Sequence, residues 1–259
     1  MPKLAANLTM LFGEMPFLER FKAAADAGFQ AVEYLFPYDY DRDVLRRQLG
    51  DHELVQVLHN LPGGNWAAGE RGIACLPDRV DEFKAGVDKA IAFATVLECD
   101  RVNCLAGVPP PSVSATTANE TFTRNVEYAA SRLKSAGIKL MIEPINTRDI
   151  PGFFLNKTRQ ALDIIEATGS DNVFVQFDIY HMQIMEGDVA STIEKHLPLI
   201  GHMQLADVPG RHEPGTGEID FAALFKLIDR VKYAGWIGCE YIPLAGTVKG
   251  LTWAEPYLK

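Results

Sequence analysis

Eight short apolar runs, each followed by an amphipathic segment of helical length, divide the chain from end to end. The runs fall at 4–8 (LAANL), 31–35 (AVEYL), 54–59 (LVQVLH), 101–105 (RVNCL), 139–143 (KLMIE), 173–178 (VFVQFD), 200–205 (IGHMQL) and 236–241 (WIGCEY). Helices are expected at 15–27, 41–49, 79–97, 117–136, 158–168, 188–197, 221–231 and 248–257. In the third of these, Phe83, Val87, Ala90, Ile91 and Ala94 recur at helical spacing. Strands that alternate with helices imply a parallel sheet, and eight such units imply closure into an α/β barrel, (β/α)8. An open doubly wound sheet fits less well, because no GxGxxG follows the first strand. Gly28 and Gly137 follow the first and fourth helices, where a left-handed closing residue is wanted, and Gly235 similarly precedes the last strand.

A barrel of this kind runs to about 250 residues as one unit, which matches the 259 residues here. No linker or low-complexity tract breaks the chain, so residues 1–259 are expected to form a single domain. The net charge is −9, and no Lys/Arg-rich run interrupts it. A nucleic-acid backbone or an anionic membrane would be repelled, and an anionic substrate would need a local cation. The N-terminal stretch lacks the features of a signal peptide, and no run approaches the roughly 18 apolar residues of a membrane span. Cys75, Cys99, Cys104 and Cys239 are scattered without metal-type spacing. A reducing cytoplasm is the expected setting.

Chemistry in a barrel sits at the C-terminal ends of its strands. Reading those ends gives Glu143, Asp178, Gln204 and Glu240 on four consecutive strands, each offering oxygen. A carboxylate that closes a buried strand is costly unless neutralised, and one metal ion neutralises three at once. Any single acidic strand end is more often a cap or a surface pair, but four in succession point to a divalent-metal site. Oxygen donors suit Mg²⁺ or Mn²⁺.

Several motifs together resemble the hydroxypyruvate isomerases of the xylose-isomerase-like barrel superfamily. They are ANLTMLF, FPYDYD, LHNLPGGNWAAGERGIACLP, EPIN, FDIYHMQ, RHEPGTGEID and GWIGCEY, and the likeness runs along essentially the whole chain. The resemblance implies a xylose-isomerase-like (β/α)8 barrel with one divalent metal held by Glu143, Asp178, Gln204 and Glu240. It implies that Glu143 and Glu240 are the acid/base pair, and that His181 touches a substrate oxygen. The implied activity interconverts hydroxypyruvate and 2-hydroxy-3-oxopropanoate. In related ketose 3-epimerases a His stands in the position of Gln204, and a neutral amide oxygen is the weaker donor.

Other candidates follow from position. Arg211, beyond the seventh strand, is the best cation for a substrate carboxylate, because its planar fork grips one bidentately. His212 beside it is weaker. His59 and Asn60 end the third strand and are placed in the pocket. Trp66, Glu70 and Arg71 lie in the long segment 60–78, read as a lid that excludes water. Asp207 reads as a loop cap, His52 and His196 as surface residues, and Met10, Phe12 and Phe17 as barrel packing. The expected partner is a small anionic hydroxy-oxo acid, with neither nucleic acid nor membrane, and a homo-oligomer is left open. The rival readings are a 2-oxo-tetronate isomerase, a ketose 3-epimerase, a metal-dependent endonuclease and an inert sugar-acid-binding barrel. Six scattered His and the acidic charge oppose the endonuclease, and retention of both Glu143 and Glu240 opposes the inert barrel.

Overall fold

The computed structural model describes residues 1–258. Eight parallel strands close into a barrel in chain order: β1 (Lys3–Asn7), β2 (Ala31–Glu33), β3 (Val55–Asn60), β4 (Arg101–Cys104), β5 (Lys139–Ile142), β6 (Val173–Asp178), β7 (Ile200–Leu205) and β8 (Trp236–Cys239). The seam is sealed by β8 pairing with β1, Ala6 lying opposite Cys239. The outer layer holds α1 (Glu19–Asp26), α2 (Arg42–Asp51), α3 (Val80–Leu97), α4 (Ala115–Ser135), α5 (Thr158–Thr168), α6 (Ile179–Met185), α7 (Val189–His196) and α8 (Phe221–Arg230). The expected (β/α)8 barrel is the fold observed. Among the described residues, no helix is long and apolar enough to cross a membrane.

Local chemistry accounts for the helix ends. Asp41, Ser114 and Asp220 each cap a helix by accepting from backbone N–H groups of its first turn. Gly28 and Gly137 adopt positive φ after α1 and α4, as expected. Gly235 does not. Its missing side chain makes room for the Tyr233 ring, which a Cβ there would strike.

Three boundaries differ in ways that matter. β5 stops one residue and β8 two residues before the expected ends, so Glu143 and Glu240 lie just beyond their strands. Residues 179–185, outside the expected helices, form α6, which starts when Asp178 accepts from the Tyr180 N–H at 2.8 Å. The C-terminal segment 248–257 is helical, but as a 3₁₀ helix that contains Pro256. Proline has no N–H for a regular α-helical ladder.

Inter-strand register builds the functional end. It sets Asn7 against Glu33, Asn60 against Asn103, and Asp178 against Gln204. Polar residues from neighbouring strands are thereby brought to one level of the barrel mouth. All four cysteines are buried and free.

Candidate active site

A cavity of about 220 Å³ opens at this mouth, and Glu33, Glu143, His181, Gln204, Arg211 and Glu240 are among its lining residues. Asp178 is fully buried against it. Each acidic group is held by a different element. Asp178 gives one carboxylate oxygen to the start of α6, which leaves Oδ2 facing the site. Glu143 accepts from Asn103 Nδ2 at 2.8 Å, and Asn103 also donates to Asn60 Oδ1. Glu240 accepts from Arg211 Nη2 at 2.7 Å and from Asn7 Nδ2 at 3.3 Å.

Burial dominates the electrostatics. It pushes the Glu143 carboxyl well above the usual range, and the charges of Glu240 and Asp178 add to the effect. Burial raises Asp178 too, against the pull of Arg211. Glu240 is pushed up to about 8 by burial, although Arg211 lowers it. Burial alone would disfavour the Arg211 cation, but Glu240, Asp178 and Glu143 outweigh it and hold Arg211 charged. The guanidinium stands between two carboxylates, 2.7 Å from Glu240 Oε2 and 3.5 Å from Asp178 Oδ2.

His181 has a definable tautomer. The Asn146 side-chain oxygen accepts from the Arg148 and Asp149 N–H groups, so its Nδ2 must face His181 Nδ1, 2.7 Å away. Nδ1 therefore accepts, and the ring proton sits on Nε2. That N–H points at Asp178 Oδ2 (3.4 Å) and Glu143 Oε1 (4.0 Å). Burial first, and then Arg211, hold the imidazole well below its ordinary pKa, so the ring is neutral. By distance, Glu143, Asp178 and His181 form a group able to hold a metal ion, with ligand atoms all within 4.8 Å of one another. The Asn146 contact makes His181 a better N–H donor than ligand, because a ligating nitrogen must be unprotonated.

Gln204 is fixed from both sides. Its Nε2 donates to Glu33 Oε1 at 2.7 Å, and its Oε1 accepts from Gln176 Nε2 at 2.6 Å. The amide oxygen keeps a second lone pair. Glu33, fully buried, also accepts from Asn7 and from His202 Nε2.

The model for the xylose isomerase-like TIM barrel family matches residues 21–257. The chain belongs to that family. Among its relatives, the hydroxypyruvate isomerase of Escherichia coli (strain K12) is 51% identical over 257 residues, which are 99% of this chain and all of that protein. The 2-oxo-tetronate isomerase of Cupriavidus necator is 46% identical over 100% of this chain and 99% of its own. A crystal structure described as AP endonuclease, family 2, from Brucella melitensis superposes with a TM-score of 0.97 at 46% identity, covering both chains fully.

Measured against the sequence reading, this xylose isomerase-like barrel gathers Glu143, Asp178, His181, Gln204, Arg211 and Glu240 at one mouth. It changes two readings, those of His59 and Met10. His59 is not a pocket residue: strand alternation turns it outward beneath Tyr38, with Nδ1 on the Asn60 carbonyl, and burial lowers its pKa to about 4. In the long segment, Trp66 and Arg71 line the cavity and Glu70 pairs with Arg79 at 2.8 Å. Met10, read as packing, lines the cavity. Arg211, read as the cation for a substrate carboxylate, lines the cavity and there stands beside Glu240 and Asp178. Asp207 is the loop cap expected, accepting from the Gly215, Gly217 and Ile219 N–H groups. His212 binds the Ile242 carbonyl through Nδ1. His52 and His196 are half-buried at the surface. Asn7, Glu33, Asn103 and Gln176 escaped the sequence reading.

Proposed function

We propose that this barrel isomerises hydroxypyruvate to 2-hydroxy-3-oxopropanoate through an enediolate. The observation that carries the reading is the presence of two buried carboxyl groups, Glu143 and Glu240, at one cavity. Carboxyl groups placed in this way can take a proton and return one within the same site. The isomerisation needs both acts: a proton leaves C3 and a proton is delivered to C2, while the hydroxyl proton passes from O3 to O2 of the enediolate, so that no proton is gained or lost overall. One carboxylate removes the first, and the other, as carboxylic acid, supplies the second. The roles exchange in the reverse direction. His181, neutral and protonated on Nε2, donates to a substrate oxygen and steadies the charge that develops there. The relatives' names support the class of reaction.

The residues fit a divalent cation. Three buried carboxylates with raised proton affinity and one amide oxygen are hard oxygen donors that need a counter-charge. Glu143, Asp178, Gln204 and Glu240 would hold it, and Mg²⁺ or Mn²⁺ would supply Lewis-acid polarisation of the carbonyl. The residue roles rest on the same reading, whereas a single domain over 1–259 is supported by the closed barrel and a cytoplasmic setting by the four free cysteines.

The test is an assay of hydroxypyruvate turnover before and after chelator treatment, with Mg²⁺ or Mn²⁺ added back. Activity should vanish and return. Full activity in rigorously metal-free protein would overturn the metal assignment. A second reading, 2-oxo-tetronate isomerisation, is favoured by the Cupriavidus necator relative and uses the same residues. The ratio of kcat/KM for the two acids decides between them. Cleavage of abasic DNA, run in parallel, should be absent, because a chain of net charge −9 repels the phosphate backbone.

A further inference from the structure

The proposed substrate is an anion, yet Arg211 is engaged by Glu240 and Asp178. A second guanidinium lines the same cavity, that of Arg71 in the long segment after β3. Its surroundings differ in kind. Arg71 Nη1 donates to two backbone carbonyls, Glu70 at 2.8 Å and Trp66 at 3.2 Å. Among the described residues, no carboxylate pairs with it. The neighbouring acid, Glu70, is taken by Arg79 and by the Asn65 N–H. The guanidinium edge formed by Nε and Nη2 therefore has no protein acceptor among the described residues. That edge presents two parallel N–H groups, the geometry that grips a carboxylate bidentately.

The side chain is also held in advance. Its guanidinium lies 4.3 Å from the centroid of the Trp66 ring, and Trp66 packs edge-on against Phe36. The next residue, Gly72, bridges to Ala106 beyond β4. It does so at φ +108°, where a Cβ would run into the Leu105 carbonyl. The opposing Gly107 is just as tight against Gly72. Cys75 N–H to the Ala106 carbonyl at 2.9 Å completes the weld. A cation pre-positioned in this way loses little entropy when it meets a ligand.

We propose that Arg71 recognises the substrate carboxylate and makes the site selective for 2-oxo acids over uncharged ketoses. This assignment rests on the functional reading above. It gives Arg211 and Arg71 separate tasks, the first compensating the protein's own acids and the second binding the substrate's.

The test compares wild type with Arg71→Met, Arg71→Lys and Arg79→Met. Each is read three ways: kcat and KM for hydroxypyruvate, the calorimetric Kd for D-glycerate on Mn²⁺-loaded protein, and kcat/KM or inhibition for uncharged dihydroxyacetone. Arg71→Met should raise the hydroxypyruvate KM and the glycerate Kd by roughly 10- to 100-fold, the equivalent of one charge-assisted contact. It should leave kcat within a few-fold and dihydroxyacetone unaffected. Arg71→Lys should recover part of the affinity, lacking the fork. Arg79→Met loosens the segment without touching the cavity, so it should weaken charged and uncharged ligands alike. Unchanged KM and Kd in Arg71→Met, or losses equal for both ligand classes, would overturn the proposal. Failure of wild type to turn over any 2-oxo acid would sink the functional reading instead, and the glycerate Kd would still decide the role of Arg71.

Discussion

Arg211 Nη2 donates to Glu240 Oε2 at 2.7 Å and reaches Asp178 Oδ2 at 3.5 Å, so one guanidinium serves two buried acids from different strands. Arg211 sits in the loop after β7 at φ +58°, a backbone conformation uncommon outside glycine. It stacks 5.2 Å from the Tyr180 ring. The chain thus carries an internal cation at the point where its acids converge.

If Arg211 is that counter-ion, it competes with any external cation for the same oxygens. Arg211→Met removes one positive charge from beside Glu240. At an effective dielectric near 20, a charge several ångströms away is worth on the order of 1–3 kcal/mol. Binding of Mn²⁺ at pH 8.5, followed by calorimetry, should tighten about tenfold or more. Unchanged or weaker binding would show that Arg211 builds the site rather than compensates it.

Glu143→Gln and Glu240→Gln keep an oxygen in place and remove the titratable group. Each should lower kcat by at least about 100-fold, the lower end for losing a general acid or base. Exchange of the C3 hydrogen into deuterium oxide, followed by NMR, separates the two roles. The variant that has lost the base for C3 should stop exchanging. Near-wild-type turnover in either variant would refute the pairing.

The raised carboxyls make the metal-free protein sensitive to pH. Glu240 titrates at about 8 in the folded state, and Glu143 and Asp178 are raised by the same burial. In the unfolded chain these groups titrate near 4. Below about pH 6.5 the buried neutral His59 and His181 act in the opposite sense, because the unfolded chain protonates them. Between about pH 6.5 and 8 the carboxyls alone leave the native state with more bound protons, so they make stability fall as pH rises through that window. The melting temperature of chelator-treated protein should decline from about pH 6.5 to 8. The Glu143→Gln/Glu240→Gln double variant, which has nothing to titrate at those positions, should show a flatter profile. An equally steep decline in that variant would place the effect elsewhere.

The barrel was legible because its period is long and repeated, and Asp178 and Gln204 were legible because β6 and β7 end where their apolar runs end. Glu33 was hidden by a boundary. AVEYL reads as one strand of five with Glu33 in its middle, whereas β2 stops at Glu33 and presents it at the mouth. Asn7 and Asn103 are short amides whose role arises only when register sets them beside Glu33 and Asn60. His59 failed for the opposite reason. Its position in sequence is right, but strand alternation gives the cavity to Leu58 and Asn60 on either side. The engagement of Arg211 lay beyond reach, since it depends on a loop crossing back over β8.

Glu33 leads to the last prediction. Its carboxylate accepts from Asn7 Nδ2 (2.9 Å), His202 Nε2 (2.6 Å) and Gln204 Nε2 (2.7 Å), and Gly238 lacks a side chain where that carboxylate lies. Holding the Gln204 nitrogen fixes which way its amide oxygen points. Glu33→Ala would leave His202 Nε2 and Gln204 Nε2 unpaired and Asn7 with only its longer contact to Glu240, at a cost of roughly 1–3 kcal/mol for each unpaired donor if none relaxes. That variant should be markedly less stable, or fail to fold. Glu33→Gln preserves the volume but replaces one acceptor with a donor, opposed to the N–H of Gln204 or of His202. It should fold and bind Mn²⁺ more weakly than wild type, with kcat at saturating metal reduced less than metal affinity. Gly238→Ala, which pushes the Glu33 carboxylate aside, should show the same pattern in milder form. If Glu33→Gln bound metal as tightly as wild type, Gln204 would need no such anchor, and Glu33 would be a packing residue alone.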